Sequence, residues 1–569
     1  MTRRKTGWPL TYHARASFLL LCLLEAGTQP LLAQQRSMAS RIEHAEKEPQ
    51  NWLTFYGNYG GWSYSPLNQI TRENVKQLVP AWAFSAGAPP SSTTIRNGLE
   101  AAPVVADGVL YLEGMQNNVY AMEAATGRAL WTYTYKWGDK PITGIKGARG
   151  LALGDGRVYM GTQDNHLVSL DAETGREIWN VEVQNFSECL CKITAAPLLV
   201  KDKVITGVAG GGQLHMRGYV DAFDAKTGQR LWRFDVIPSP GQPGSETWTD
   251  DSWKMGGGAT WFTGTYDPEL NLIYWGTGDP APAYKPDVRP GLNLYATSLL
   301  ALDADTGHLK WYFQETPHDL YDYDSQAEPV ILDLTLDGRK RKVIVHPSKN
   351  GFVYVYDRAT GDLLRTYPYS WQNWTKGLDA HGVPTETVIP EDQKNFLICP
   401  SISNGARGIS HSAYSPRTGL WYTTDLEMCT FLVDGADKRK DAMNPNILPN
   451  ISAYDPATGK KQWTFNTKFY NMSSLLATAG DLIFAGDLEG NAFALDAKTG
   501  QKLWSFNTGG RIASPPVSFS VGGRQYVTVS VGGGSTVENY VPNLYPETKD
   551  RYPQPGATLF VFALPEKSK

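Results

Sequence analysis

Residues 316–326 read TPHDLYDYDSQ, and they set two aspartates, Asp322 and Asp324, on either side of one tyrosine. On an extended backbone, residues two apart face the same way, so these carboxylates would share one site. Like charges held together raise each other's proton affinity unless a cation or solvent offsets them. The pair therefore predicts either a cation-holding site or a solvated loop whose aspartates bond turn backbone. The elements around the pair decide between the two.

Those elements repeat. Seven times the chain passes through an apolar strand, an acidic residue, a short turn ending in Thr-Gly, and an aromatic. The copies are AMEAATGRALW (121–131), SLDAETGREIW (169–179), AFDAKTGQRLW (222–232) and ALDADTGHLKW (301–311), then VYDRATGDLLRTY (355–367), AYDPATGKKQW (453–463) and ALDAKTGQKLW (494–504). Gly supplies the positive φ of a tight turn, Asp and Thr bond the turn backbone, and the terminal aromatic can dock against the next copy. Repeats of this kind, each with several short strands, predict an all-β propeller whose blades cannot bury their faces alone. An eighth aromatic, Trp82 in QLVPAWAF, lacks an upstream half. The C-terminal strand ATLFVFAL (557–564) is expected to supply it, giving an eight-bladed β-propeller closed by the C-terminal strand. Long spacings after Trp232 and after Tyr367 mark loop insertions, where function concentrates. A site belongs near the propeller axis, on one face.

The composition agrees with many short strands: 56 Gly, 36 Pro, 18 Trp and 29 Tyr in 569 residues. A formal charge of −4 gives no electrostatic reason to expect nucleic acid or an anionic membrane. At the N-terminus Arg3, Arg4, Lys5 and Arg15 precede the apolar run ASFLLLCLL (16–24), and Ala33 follows in QPLLAQQ. That run is too short to span a bilayer, so residues 1–33 read as a secretory signal and 34–569 as one propeller domain. No later stretch reaches the length of a membrane span. Apart from Cys22 in the signal there are four cysteines. An even number in an exported chain favours disulfides, most simply Cys399 with Cys429 and Cys189 with Cys191. There is no C-x-x-C-H, hence no covalently attached haem.

The segments between the repeats resemble the pyrroloquinoline quinone (PQQ) dependent alcohol dehydrogenases, the methanol/ethanol dehydrogenase family of quinoproteins. The stretches that carry the resemblance are DDSWKMGGGATW, YDPELNLIYWGTGDPAP, ALDADTGHLKWYFQETPHDLYDYD and VIVHPSKNGFVYVYDRATG. It implies that Asp322 is the catalytic base and Asp324 a metal ligand of the kind found in lanthanide-using members. It places Trp261 under the cofactor and assigns Glu100, Arg149, Thr194, Gly210 and Gly211 to cofactor contact. Lys349 falls near the reactive carbonyl edge of PQQ. Asp279 stands where relatives have a metal-binding Asn. Hard cations take several oxygen ligands, and a trivalent ion gains more from an extra carboxylate, so a lanthanide is favoured with calcium as the alternative.

The chain also departs from the family. In GVAGGGQLHMRG (207–218) relatives carry an acidic ligand; here Gly212 stands in its place and Gln213, assigned to the metal, follows. Asp279 is expected to restore the lost charge. PITGIKGARG (141–150) lacks the adjacent-cysteine pair of relatives, and Cys189–Cys191 is expected either near the cofactor or as a surface staple. SNGARGISHS (403–412) and NMSSLLATAG (471–480) lack the tryptophan motifs of relatives, which points to an altered pocket. The resemblance implies a periplasmic enzyme that oxidises a small-molecule alcohol and passes electrons to a separate cytochrome c; homodimerisation is left open. The competing expectation is a non-catalytic propeller, a binding or assembly scaffold, which would have no reason to keep Trp261, Asp322 and Asp324 together.

Overall fold

The computed structural model describes residues 36–87, 99–136, 147–210, 216–532, 540–549 and 556–566. The expected signal, residues 1–33, lies outside them. Among the described residues, seven antiparallel sheets have four strands and an eighth has a fifth strand added, an all-β, propeller-like arrangement. Each repeat is the hairpin between the third and fourth strands of its sheet, as with Ser298–Asp303 and Leu309–Gln314. Third strands are buried on both faces, whereas fourth strands alternate between covered and exposed positions. Burial thus rises toward the inner strands.

The turn chemistry is as expected. Asp224 Oδ1 accepts from the Thr227 amide (2.7 Å) and hydroxyl (2.8 Å), and Asp171 does the same for Thr174. The glycine has a second role that the turn alone does not reveal. At Gly127, Gly175, Gly228, Gly307, Gly361, Gly459 and Gly500 an added Cβ would lie within 3 Å of the preceding copy's aromatic, from Trp82 and Trp131 through to Trp463. Each copy therefore seats its neighbour's ring on a bare Cα. The indole N–H of Trp232 then donates to the Ala304 carbonyl (3.3 Å), and that of Trp504 reaches Leu78 (3.2 Å). The strand Val79–Ser85, which carries Trp82, pairs antiparallel with Thr558–Ala563.

A belt of N-terminal chain ties the sheets together. Trp52 pairs with Val105, the hydroxyls of Tyr59 and Tyr56 donate to Leu199 and Thr263, and Gly60 and Trp62 carbonyls accept from Ile331 and Tyr414. Tyr64–Ser65 finally adds a parallel strand to Leu476–Thr478. Cys399 is bonded to Cys429 (Cα–Cα 4.4 Å) and Cys189 to Cys191 (5.0 Å). Among the described residues no helix is long and apolar enough to cross a membrane.

Candidate active site

Asp319, three residues before Asp322, shapes the acidic segment. Its buried carboxylate accepts the amides of Tyr321 and Tyr323, both at 2.8 Å, and curls the chain. Asp322 consequently lies in the left-handed region, φ +60°. The extended backbone expected here is absent, and the two aspartates converge by a turn instead of by strand alternation. Stacked Tyr321 and Tyr323 (5.0 Å between centroids) pack edge-on against buried Trp374 and anchor the turn.

The turn delivers Asp322 and Asp324 to Asp279, with one oxygen from each lying within 4.8 Å of the others. Asp324 accepts three hydrogen bonds. Its Oδ1 accepts the Asp279 amide (2.7 Å), and Oδ2 accepts the Trp261 indole N–H (3.2 Å) and the Lys349 ammonium (2.8 Å). Close approach requires glycine at 278, where a Cβ would stand 2.8 Å from Asp324 Oδ1. Asp279 is buried, and its Oδ2 has no hydrogen-bond partner. Burial, then the charges of Asp322 and Asp324, push its carboxyl well above the usual range. A buried, unpartnered carboxylate beside two others forms a hard-oxygen donor set that fits a cation.

Lys349 sits at the centre of the local charge. It also donates to the carbonyls of Asp322 (3.2 Å) and Ser403 (2.9 Å), and its Nζ stands 3.6 Å from Asp322 Oδ1. Burial acts to lower its pKa, but the carboxylates of Asp324 and Asp322 outweigh it and raise it. Asp322 is the half-exposed member of the triad. The Tyr284 hydroxyl lies 3.4 Å from its Oδ2, and the Arg439 guanidinium stacks 4.4 Å above the Tyr284 ring. Next to it, Lys285 pairs with Glu391 (3.2 Å) and Asp437 (2.5 Å) of the inserted segments.

The remaining predicted residues gather around Trp261. Arg149 lies 4.9 Å over its ring and donates to the Trp261 carbonyl (3.3 Å), which also accepts the Thr194 hydroxyl (3.1 Å). Glu100 is buried nearby, its carboxylate filling the space a side chain at Gly147 would occupy. Burial lowers the Arg149 pKa, and Glu100 and Tyr56 oppose it. Lys349 Nζ stands 5.9 Å from the Trp261 ring centre and so joins this group to the acidic triad. Gly210 follows Ala209, which bridges to Lys192 just after the Cys189–Cys191 disulfide. Gly211 and Gln213, with the rest of 211–215, lie outside the described residues.

Sequence reasoning missed Asp319, Tyr284, Ser403 and Arg439. Asp319 had a local signal, an acid ahead of DYD. The other three reach the site from segments distant in the chain, Arg439 from the strand Lys438–Met443. Asn404, beside Ser403, is buried with its side-chain amide nitrogen unpartnered, so the 403–412 segment contributes polar groups here.

The family described as "glucose/ethanol/alcohol dehydrogenase, beta-propeller domain" of PQQ proteins matches residues 52–367. A second family, the outer membrane protein assembly factor BamB, matches residues 449–538, which contain none of the predicted site residues. The chain is 35% identical to the quinoprotein alcohol dehydrogenase PedH of Pseudomonas putida, over 97% of this chain and 96% of that protein. It is 34% identical to the lanthanide-dependent methanol dehydrogenase of Methylacidiphilum fumariolicum, over 86% of each. Among solved structures, a europium-containing methanol dehydrogenase superposes with a TM-score of 0.83 at 31% identity, covering 92% of this chain and all of that one.

Proposed function

Because this chain belongs to the β-propeller family of PQQ-dependent alcohol dehydrogenases, we propose that it oxidises an alcohol to an aldehyde or ketone in the periplasm, with PQQ and one metal ion bound at the site around Trp261 and the three aspartates. The chain is an oxidoreductase of the quinoprotein alcohol dehydrogenase class. One observation carries the assignment of residues: three carboxylates converge beside an indole face flanked by Arg149 and Lys349, and one carboxylate oxygen has no partner.

Trp261 offers the flat apolar face a tricyclic quinone needs, and Glu100, Arg149 and Thr194 surround it with hydrogen-bonding groups. Asp279, Asp322 and Asp324 would hold the metal, joined by Gln213, with Gly210 and Gly211 against the cofactor. When bound, the quinone supplies the acceptor for two electrons and the metal supplies positive charge at its carbonyl edge.

The division of labour among the acids follows from their contacts. Asp324 is held by three donors and Asp279 is buried, whereas Asp322 is half exposed. Asp322 is therefore the carboxylate a substrate hydroxyl can approach, and it accepts that proton. Tyr284 orients it from the other side. Lys349 and Arg149, both buried, balance negative charge that develops beside Trp261, where low dielectric strengthens them.

Three carboxylates in one donor set favour a lanthanide over calcium. The resemblance supports a soluble cytochrome c as electron acceptor. Eight sheets of four or five strands and the pairing of the Trp82 strand with Thr558–Ala563 support an eight-bladed ring closed by the C-terminal strand, spanning 34–569 behind a cleaved signal. The test is dye-linked oxidation of an alcohol panel by apoprotein reconstituted with PQQ and either calcium or a light lanthanide. Activity only with PQQ and lanthanide is expected. Activity with calcium alone overturns the metal assignment, and failure to bind PQQ with either ion overturns the site.

A further inference from the structure

A second cavity, of about 740 Å³, opens between the N-terminal belt and the strand ends near residues 266–269 and 331–333. None of the residues assigned to the alcohol-oxidising site lines it. Its volume is that of a small-molecule pocket, which usually spans about 300–1,000 Å³.

Two features define what it can hold. The first is aromatic: Trp62, Tyr64, Tyr266 and Tyr414 stand on its walls, with Trp62 and Tyr414 edge-to-face at 5.6 Å. The Trp62 N–H is spent on the Ile331 carbonyl (2.8 Å) and the Tyr266 hydroxyl on Asn271 (3.0 Å), which leaves ring surface as what these two side chains can offer a ligand. The second is charge. Glu43, Glu46, Asp267, Glu269 and Asp333 line the cavity against one lining cation, Arg358, with Lys342 paired to Glu269 from outside the lining. Arg358 is already shared among Asp267 (2.9 Å), Glu269 (2.6 Å) and Asp333 (3.6 Å). Among the described residues no ion pair involves Glu43 or Glu46, so the belt side of the cavity carries uncompensated negative charge.

These features discriminate between ligands. An anion would meet five carboxylates against two cations, both already paired. A bare metal ion would lack a donor set, since the one convergent acidic group among the described residues is Asp279, Asp322 and Asp324. An organic ammonium ion satisfies both features, because dispersed carboxylates attract it and aromatic faces stabilise it. We propose that this cavity binds an amphipathic organic ammonium ion, an aliphatic or aryl-alkyl amine or quaternary ammonium, independently of the alcohol-oxidising site.

The experiment is isothermal titration of the full protein, loaded with PQQ and metal, using benzyltrimethylammonium as probe and benzoate as the charge-reversed control. Benzyltrimethylammonium has no hydroxyl to be oxidised. Saturable binding of the cation that weakens as salt is raised, and none of benzoate, is expected. Glu43→Gln with Glu46→Gln weakens it at least several-fold and leaves the KM for alcohol unchanged. Trp62→Leu weakens it by roughly 2- to 30-fold, the range of one cation–π contact. Absence of saturable binding refutes the proposal. So does binding that survives both glutamate substitutions and the loss of Trp62, or that is abolished by Asp324→Asn, which would place the cation at the other site.

Discussion

The most discriminating substitution is Asp279→Asn, because its effect depends on the charge of the metal. Burial and its two neighbours push the Asp279 carboxyl well above the usual carboxylate range. A metal that recruits this carboxylate must outweigh the repulsion from those neighbours. The oxygens of the triad lie within 4.8 Å of one another. At that separation and an effective dielectric of about 20, repulsion between two of these carboxylates is about 3.5 kcal/mol. Asp279 meets two like charges, an opposition of about 7 kcal/mol that Lys349 offsets in part. A hard cation holds its oxygen ligands at about 2.4 Å, where each unit of its charge attracts a carboxylate by about 7 kcal/mol. The third carboxylate therefore favours either ion, and favours a trivalent one by a further unit-charge pairing of about 7 kcal/mol. Asp279→Asn is therefore expected to weaken both ions and to weaken lanthanide binding by at least about two orders of magnitude more than calcium binding. Titration of PQQ-free protein with terbium, read by sensitised luminescence, and chelator competition for calcium measure the two affinities separately. Unchanged terbium affinity, or equal losses for both ions, refutes the reasoning that Asp279 retains site charge for a trivalent ion.

Three further outcomes are expected. Gly307→Ala, which sets a Cβ against Trp232 at φ +71°, destabilises by about 2–4 kcal/mol, whereas Gly338→Ala at φ +75° with open space costs about 1 kcal/mol; calorimetry of both variants isolates the packing contribution, and equal losses would deny it. Tyr284→Phe lowers kcat for alcohol oxidation by roughly 2- to 10-fold with melting temperature and metal affinity unchanged, and an unaltered kcat would remove Tyr284 from the site. His411 is buried, and burial lowers its pKa from 6.5 to about 4 with Glu328 opposing. The unfolded chain then binds the proton first, so stability is full above pH 6.5 and falls as pH drops toward 4, by up to about 3 kcal/mol. His411→Gln flattens that limb of an acid-unfolding curve, and an unchanged limb would assign the loss to other groups.

Much of this organisation is legible in the sequence because it is periodic. The Asp, Thr and Gly of each turn act within a few residues, and Trp131 or Trp463 repeats because every copy meets the same neighbour. The side chains that gather at the candidate site, Asp322, Asp324, Trp261 and Lys349, were legible one by one, since they lie in segments whose order matches a known family. What the sequence hides is long-range or single. The positive φ of Asp322 depends on one carboxylate, Asp319, turning back on Tyr321 and Tyr323. Tyr284 and Arg439 are far apart in the chain and meet only because an inserted hairpin folds over the site. The double duty of the turn glycines was also hidden, because a positive φ explains a glycine completely until the ring above it is seen.

The glycine-seated aromatics have a consequence for how the molecule can vary. Every copy is a socket for the ring before it, and every copy but the last, whose Trp504 meets Leu78 and Phe562, supplies the plug for the socket after it. Removing or exchanging one copy leaves an unseated ring on one side and an unfilled socket on the other, so such a change damages two joints at once. Loops between joints carry no such obligation. Inserted segments such as 371–396 and 428–443 can lengthen, shorten or change composition without disturbing a single joint, and one of them already reaches the acid assigned as the base through Arg439 and Tyr284. Substrate range in this scaffold is thus free to drift while its sheet-to-sheet joints are not.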